Sequence, residues 1–200
     1  MEKIILATGN KNKVREAGEI LGVFGVPVIS MKEAGIESDP EETGTTFEEN
    51  ALIKARAVAG MVDDAIVLAD DSGLEIDALG GEPGIYSARY LGEDTSYDEK
   101  NATLIKRLDG VPKEERTARF VCAVAAILPD GSEEVVRGTI EGYIGWEMRG
   151  ENGFGYDPIF YVDEYGCSTA EMSAEQKNEI SHRGKAFRKI KDILEARHLV

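Results

Sequence analysis

The chain has 200 residues, 42% hydrophobic and 30% charged, enough for a domain whose core needs no disulfide or metal staple. Its 38 acids against 23 lysines and arginines give a net charge of −15 with no basic block, which argues against nucleic acid, a partner held mainly by cations on phosphates. No apolar run reaches the roughly 20 residues of a membrane span, and the N-terminus lacks a leader's apolar stretch and cleavage site. Cys122 and Cys167 have neither CxxC spacing nor the density of a disulfide scaffold. The expectation is a cytoplasmic protein without a membrane partner, in which Cys122 of "ARFVCAVAAIL" is a buried, reduced thiol.

Residues 3–7 read as a buried strand, followed by the turn "TGN" and a helix in which Val14, Ala17, Gly18 and Leu21 recur at helical spacing. "VPVISM" predicts a second strand, and the polar "EAGIESDPEETGT" a connection. The next helix opens on a capping box, Thr45 with Glu48 or Thr46 with Glu49, and carries an apolar face of Phe47, Ala51, Ala55, Val58 and Val62. The strand "AIVLADDSGLEID" completes strand–helix–strand–helix–strand, the order of an α/β unit. It also holds the main anomaly of the sequence. Asp70 and Asp71 stand together where five apolar residues end, and neighbouring strand positions face opposite sides. A buried carboxylate is costly unless a cation, a donor set or a ligand compensates it.

A glycine-rich connection, "ALGGEPGIYSARYLGED", leads to a helix capped by Ser96 with Glu99. Residues 117–128 are apolar on both faces and predict a central strand. "PDGS" turns it into the strand "EEVVRGTIEGYIG", and "IFYV" predicts one more. Ser173 with Gln176 caps a short helix, and a longer one runs from about Ser181 with Phe187, Ile190, Ile193 and Leu194 inward. With no repeat and no long linker, residues 1–200 read as a single domain. The hairpin region forms a second lobe, leaving a cleft between the two.

Four segments carry residues suited to chemistry. "LATGNKNKVRE" aims a helix N-terminus, the donors Thr8 and Asn10, and Lys13 at one point, although Asn10 also suits an ordinary cap. Glu42, in the loop ahead of the second helix, can join Asp71 as the one or two carboxylates that Mg²⁺ takes beside phosphate oxygens and waters. In "GENGFGYDPIF", glycines surround Phe154, Tyr156 and Asp157, which suits either stacking on a flat ring or a tight bend between strands. In "EQKNEISHRGKAFRK", His182 and Arg183 fall at a helix start, where positive charge opposes the dipole unless an anion binds. Lys177 lies one short helix upstream, and His198, at the C-terminus, is inert. Phosphate donors, a carboxylate pair and a stacking surface together describe a nucleotide-phosphate enzyme.

The segments "TGNKNK", "EETGTTFEENALIKA", "ADDSGLEIDALGGEPGIYSARY", "NGFGYDP" and "ISHRGKA" stand in the order found in the inosine/xanthosine triphosphate pyrophosphatase family. The resemblance runs from about residue 3 to residue 194, with Asn152 where many members have glycine. It implies an α/β fold with an elongated central mixed sheet, flanking helices and two lobes enclosing the active-site cleft. It also implies a Mg²⁺-dependent homodimer that converts ITP, dITP and XTP to the monophosphate and pyrophosphate, keeping deaminated purines out of DNA and RNA. Matched by motif, Thr8, Gly9, Asn10, Lys11, Asn12, Lys13 and Ser72 bind substrate, as do Phe154, Gly155, Tyr156, Asp157, Lys177, His182 and Arg183. Asp71 is the general base and a metal ligand. Glu42 is the second ligand, with Glu41 the neighbouring alternative.

On this reading Asp71 holds a water in line with the α-phosphorus and takes its proton. Lys13, Lys177 and Arg183 neutralise the triphosphate. Asp70, facing the other way, is either a further ligand or a structural acceptor. Donors such as backbone N–H groups, Arg183 or His182 would select the 6-oxo edge over adenine, a mismatch worth factors of about 10⁴–10⁵. Phe154 is the candidate for stacking on the base. The rival readings are a Maf-like pyrophosphatase for modified pyrimidine triphosphates and a purine nucleotide sensor without turnover.

Overall fold

The structure, a computed structural model, describes residues 3–22 and 28–199. Of the predicted strand "VPVISM", Val26 and Pro27 lie outside the described residues. The elements are β1 (Lys3–Leu6), α1 (Lys11–Leu21), β2 (Val28–Ser30), α2 (Phe47–Ala59), β3 (Ala65–Ile76) and α3 (Tyr97–Arg107). They continue as β4 (Thr117–Ile127), β5 (Glu133–Ile144), β6 (Phe160–Val162), β7 (Cys167–Ser168), α4 (Ala174–Ile180) and α5 (His182–Ala196).

The strands hydrogen-bond in the order β2-β1-β3-β4-β5-β6-β7. β1 runs parallel to β2 and β3, with Ile4 opposite Val28 and Ile66. β6 is antiparallel to β5 and β7, with Tyr161 opposite Tyr143 and Ser168. The fold is therefore α/β with a mixed sheet, as expected. The predicted caps are present. Thr46 accepts from Glu49 N, Ser96 accepts from Glu99 N, and Ser173 with Gln176 forms a reciprocal box. At α2 the Glu49 carboxylate closes on Thr45 N at 2.6 Å rather than on the cap residue itself. Two inward assignments are corrected, since Val62 lies beyond α2 and Ile193 is only half-buried. β7, two residues long, is too short to show any periodicity in sequence.

The chain divides into two compact units. The first comprises Met1–Asp71, Cys122–Gly138 and His182–Val200. Its core packs Ile4, Leu6, Ile66, Leu68, Cys122, Val124 and Ala126 of the sheet with Ala17 and Leu21 of α1 and Phe187, Ile190 and Leu194 of α5. Strand alternation puts Asp70 on the same face as Ile66 and Leu68. There Asp70 Oδ2 lies 3.0 Å from Lys13 Nζ and accepts from Arg183 Nε and Nη2 at 3.4 and 3.3 Å. Arg183 Nη1 donates to Glu16 Oε2 at 2.5 Å. All three of Glu16, Asp70 and Arg183 are buried. Burial pushes the Asp70 carboxyl upward, but Lys13, Arg183 and Lys54 outweigh it and hold the group far below the usual carboxylate range. Of the two roles open for Asp70 in sequence, its contacts are those of a structural acceptor. Cys122, fully buried with its Sγ 4.0 Å from Asp70 Oδ2, is a free thiol pushed up to about 12 by burial and that carboxylate.

The second unit comprises Ser72–Val121 and Thr139–Ser181. Leu74 and Ile76 of β3, Leu104 and Leu108 at α3, Phe120 of β4, Ile140 and Ile144 of β5, and Phe160 of β6 form its core. Arg116 is fully buried among them and donates to the carbonyl oxygens of Ile144, Leu108 and Gly145 at 2.6, 2.7 and 2.6 Å. The Leu108 carbonyl stands at the negative end of α3, which suits a cation. The guanidinium also lies 4.5 Å from the centre of the Trp146 ring.

Arg116→Met removes the donor from three buried carbonyls, and a loss of about 3 kcal/mol or more is expected in urea unfolding. Asp70→Asn tests the other buried ion group by its pH dependence. Because the folded-state value of Asp70 lies below its ordinary 3.8, its stabilisation is present above that value and lost as pH falls through the folded one. The gap in Tm between the native chain and Asp70→Asn is therefore expected to hold steady from neutral pH to about 4 and to narrow only in stronger acid.

Candidate active site

Asp71 is one residue further along β3 and faces the opposite side from Asp70, toward α2. It is 6% exposed. Lys54 of α2 places its Nζ 2.9 Å from Asp71 Oδ1 and also 2.9 Å from Glu42 Oε1, so both carboxylates converge on one cationic point. Asn50, one helical turn before Lys54, donates weakly to Asp71 Oδ2 at 3.5 Å and accepts from Gly44 N at 2.9 Å. That second bond holds the Glu42 loop against α2. A Cβ on Gly44 would meet the Asn50 carboxamide and Glu49, so the approach requires glycine.

Burial raises the Asp71 carboxyl above its ordinary value, and the opposing pull of Lys54 and Lys13 offsets this only in part. Burial pulls the Lys54 ammonium down, but Asp71, Asp70 and Glu42 together outweigh it and leave it raised. Asp71 is thus a carboxylate better matched to taking a proton than an exposed aspartate. Lys54 and Asn50 are absent from the residues singled out in sequence. The signal was available, because Asn50 and Lys54 follow Phe47 at intervals of three and seven, on the face of α2 that carries Ala51, Ala55 and Val58.

The turn ahead of α1 is organised by its own side chains. Thr8 Oγ1 accepts from Asn10 N at 3.2 Å, and Asn10 caps the helix by accepting from Asn12 N and Lys13 N at 2.9 and 3.3 Å. Gly9, Asn10 and Lys11 are exposed, whereas Thr8, Asn12 and Lys13 are half-buried. The first turn of α1 reads Lys-Asn-Lys without an acid, which leaves the positive helix end open to an anion. His182 is the first residue of α5 and is buried with Arg183.

In the second unit the segment 153–157 forms a tight turn, with Gly153 at φ +72° and Gly155 at φ +68°. Asp157, buried, accepts from Phe154 N at 2.8 Å, Lys177 Nζ at 2.7 Å and Thr169 Oγ1 at 2.8 Å. A Cβ on Gly153 would collide with the Asp157 carboxylate. Lys177 Nζ also lies 5.1 Å from the centre of the Phe154 ring, whose side chain is half-buried. α3 braces the same turn, as Asn101 Nδ2 donates to Gly155 O at 3.1 Å and Tyr97 meets Tyr156 edge-on at 5.2 Å. Tyr156 Oη donates to Ser87 O at 2.6 Å. Ser72 is half-buried on β3. Lys177 is therefore engaged by Asp157 in the second unit, and Arg183 by Asp70 and Glu16 in the first. Asn101 and Tyr97 are further residues the sequence did not mark, since each occupies an ordinary position in an amphipathic helix.

The sequence pattern of the Ham1 family matches residues 4–193. A Caldanaerobacter subterraneus subsp. tengcongensis protein named dITP/XTP pyrophosphatase is 51% identical over 195 residues, covering 97% of this chain and 96% of the relative. A Bacillus subtilis protein of the same name is 50% identical over 196 residues, covering 98% of each. The solved structure of the Staphylococcus aureus Ham1 protein is similar with a TM-score of 0.87 and 43% identity, over 98% of this chain and 100% of that one. On sequence and fold together, the chain belongs to the Ham1 family.

Proposed function

We propose that the chain hydrolyses the non-canonical purine nucleoside triphosphates ITP, dITP and XTP to the monophosphate and pyrophosphate, acting as one pyrophosphatase domain that keeps deaminated purines from DNA and RNA. The observation that carries this reading is near-full-length identity, 51% and 50%, to relatives named dITP/XTP pyrophosphatase. The chemistry of the site supports it. Glu42 and Asp71 present two converging carboxylate oxygens, a donor set that fits Mg²⁺ when substrate oxygens and waters complete its shell. Bound there, Mg²⁺ supplies charge neutralisation and Lewis acidity toward the triphosphate. Asp71 accepts the proton of the water that attacks the α-phosphorus.

The α1 N-terminus, with Thr8 to Lys13, offers backbone and side-chain donors to phosphate oxygens, and Ser72 adds a hydroxyl. Phe154, on a turn fixed by Asp157 and Lys177, offers its ring to the base. Lys13 and Arg183, tied to Asp70, bring positive charge to the same unit as Asp71. The protein acts as a homodimer in the cytoplasm, without nucleic acid or membrane partners; among the described residues no helix is long and apolar enough to cross a membrane.

Asp71→Asn is expected to lower kcat by about 10²–10⁴-fold while ITP still binds in calorimetry. A near-normal kcat would remove Asp71 from proton transfer. The reaction itself is checked by product analysis on ITP, dITP, XTP, GTP, ATP and modified pyrimidine triphosphates, with and without Mg²⁺. Pyrophosphate with IMP or XMP, formed only with metal and scarcely from ATP or GTP, is the expected result. Orthophosphate release would move the broken bond away from the α-phosphorus.

A further inference from the structure

Lys54 is the residue whose position the reaction outlined above does not explain. Its ammonium is not at the rim of the carboxylate pair but between the two members, 2.9 Å from Glu42 Oε1 and 2.9 Å from Asp71 Oδ1. Its side chain is 16% exposed, and the Glu42 and Asp71 side chains are 24% and 9% exposed. A divalent cation held by the same two oxygens would sit about 2.0–2.1 Å from each. An ammonium donating to the same two oxygens competes with such an ion for their lone pairs, and the two positive charges repel at this range. The two cations compete for one pair of oxygens.

We propose that Lys54 is the internal counter-ion of the metal-free pocket, and that Mg²⁺ enters by displacing its ammonium from between Glu42 and Asp71. The inference rests on the reading of those two residues as the metal pair. Without a cation, two carboxylates brought to one point in a largely buried setting would repel and be poorly solvated. Lys54 relieves both costs and keeps the Glu42 loop folded onto α2, a task shared with Asn50 through Gly44 N. The exchange is local, because a lysine side chain has four flexible bonds and a strongly hydrated head that can move to solvent. Lys54 is thereby a positioning residue that sets how tightly free metal is held. Its ammonium holds the two carboxylates together and holds down their affinity for Mg²⁺ alone.

The test uses Mg²⁺ as the only ligand, titrated calorimetrically at pH 8 so that protons compete little for the carboxylates. An opposite charge at this range shifts a carboxylate's affinity for a proton by about one to three decades. Lys54→Met is accordingly expected to bind Mg²⁺ about tenfold or more tightly than the native chain, and to gain more in Tm from saturating Mg²⁺. Lys54→Arg, which keeps the charge, is expected to show no such tightening. In the native chain, the NMR signal of the Lys54 ε-methylene is expected to move in step with Mg²⁺ saturation, a reading that does not depend on any variant folding. Equal or weaker Mg²⁺ binding by Lys54→Met, or a Lys54 signal unmoved at saturation, would overturn the inference and leave the metal pair intact. Failure of the native chain and Lys54→Met alike to bind Mg²⁺, both alone and with a non-hydrolysable ITP analogue present, would instead refute the metal pair, and the inference with it.

Discussion

Two negative charges on consecutive residues of a buried strand are the constraint around which the first unit is arranged. Asp70 and Asp71 are 4% and 6% exposed, so neither can rely on water for its solvation. Alternation along β3 sends them to opposite faces, and each face answers with cations from a different set of helices. Lys13 of α1 and Arg183 of α5 meet Asp70, whereas Lys54 of α2 meets Asp71. The placement of three helices against the sheet is thus tied to two adjacent side chains.

The two answers differ in kind, and the difference separates structure from chemistry. Around Asp70 the acid and its cations are matched so fully that the carboxyl is held far below its ordinary value and stays charged. Such a group has no proton to exchange near neutral pH and serves as a fixed anchor. Around Asp71 burial prevails over a single close ammonium, and the carboxyl is raised. That group is the better proton acceptor of the two, and it shares one ammonium with Glu42. One dipeptide therefore supplies both the brace and the carboxylate proposed to react.

The second unit shows the same economy with a turn instead of a strand. Asp157 receives a backbone N–H, a hydroxyl and an ammonium, and so fixes the backbone of Phe154 and the direction of Lys177. Glycines at 153 and 155 are required by positive φ, and at 153 also by the proximity of the carboxylate. Arg116 performs a comparable role deeper in that unit, joining the end of α3 to the end of β5 through three carbonyls.

Much of this was determined by local sequence. Helical spacing of apolar residues, serine and threonine caps and the turn "PDGS" decided the order of the main helices and strands, because those signals act within a few residues. The Asp pair announced that cations were needed, and the quoted motifs indicated the family now assigned to the chain. Which cations answer was decided only by tertiary structure. Lys54 is 17 residues from Asp71 and Arg183 is 113 from Asp70, separations at which no periodicity or spacing rule operates. Helical spacing puts Asn50 and Lys54 on the inward face of α2 without naming their partners, and Asn101 and Arg116 look like ordinary helix or strand-flanking residues until packing removes their water and brings a partner within reach. The sequence could state the electrostatic demand, since burial and charge are local properties; only the folded chain could supply the counter-charge, since that depends on which distant segments share a face.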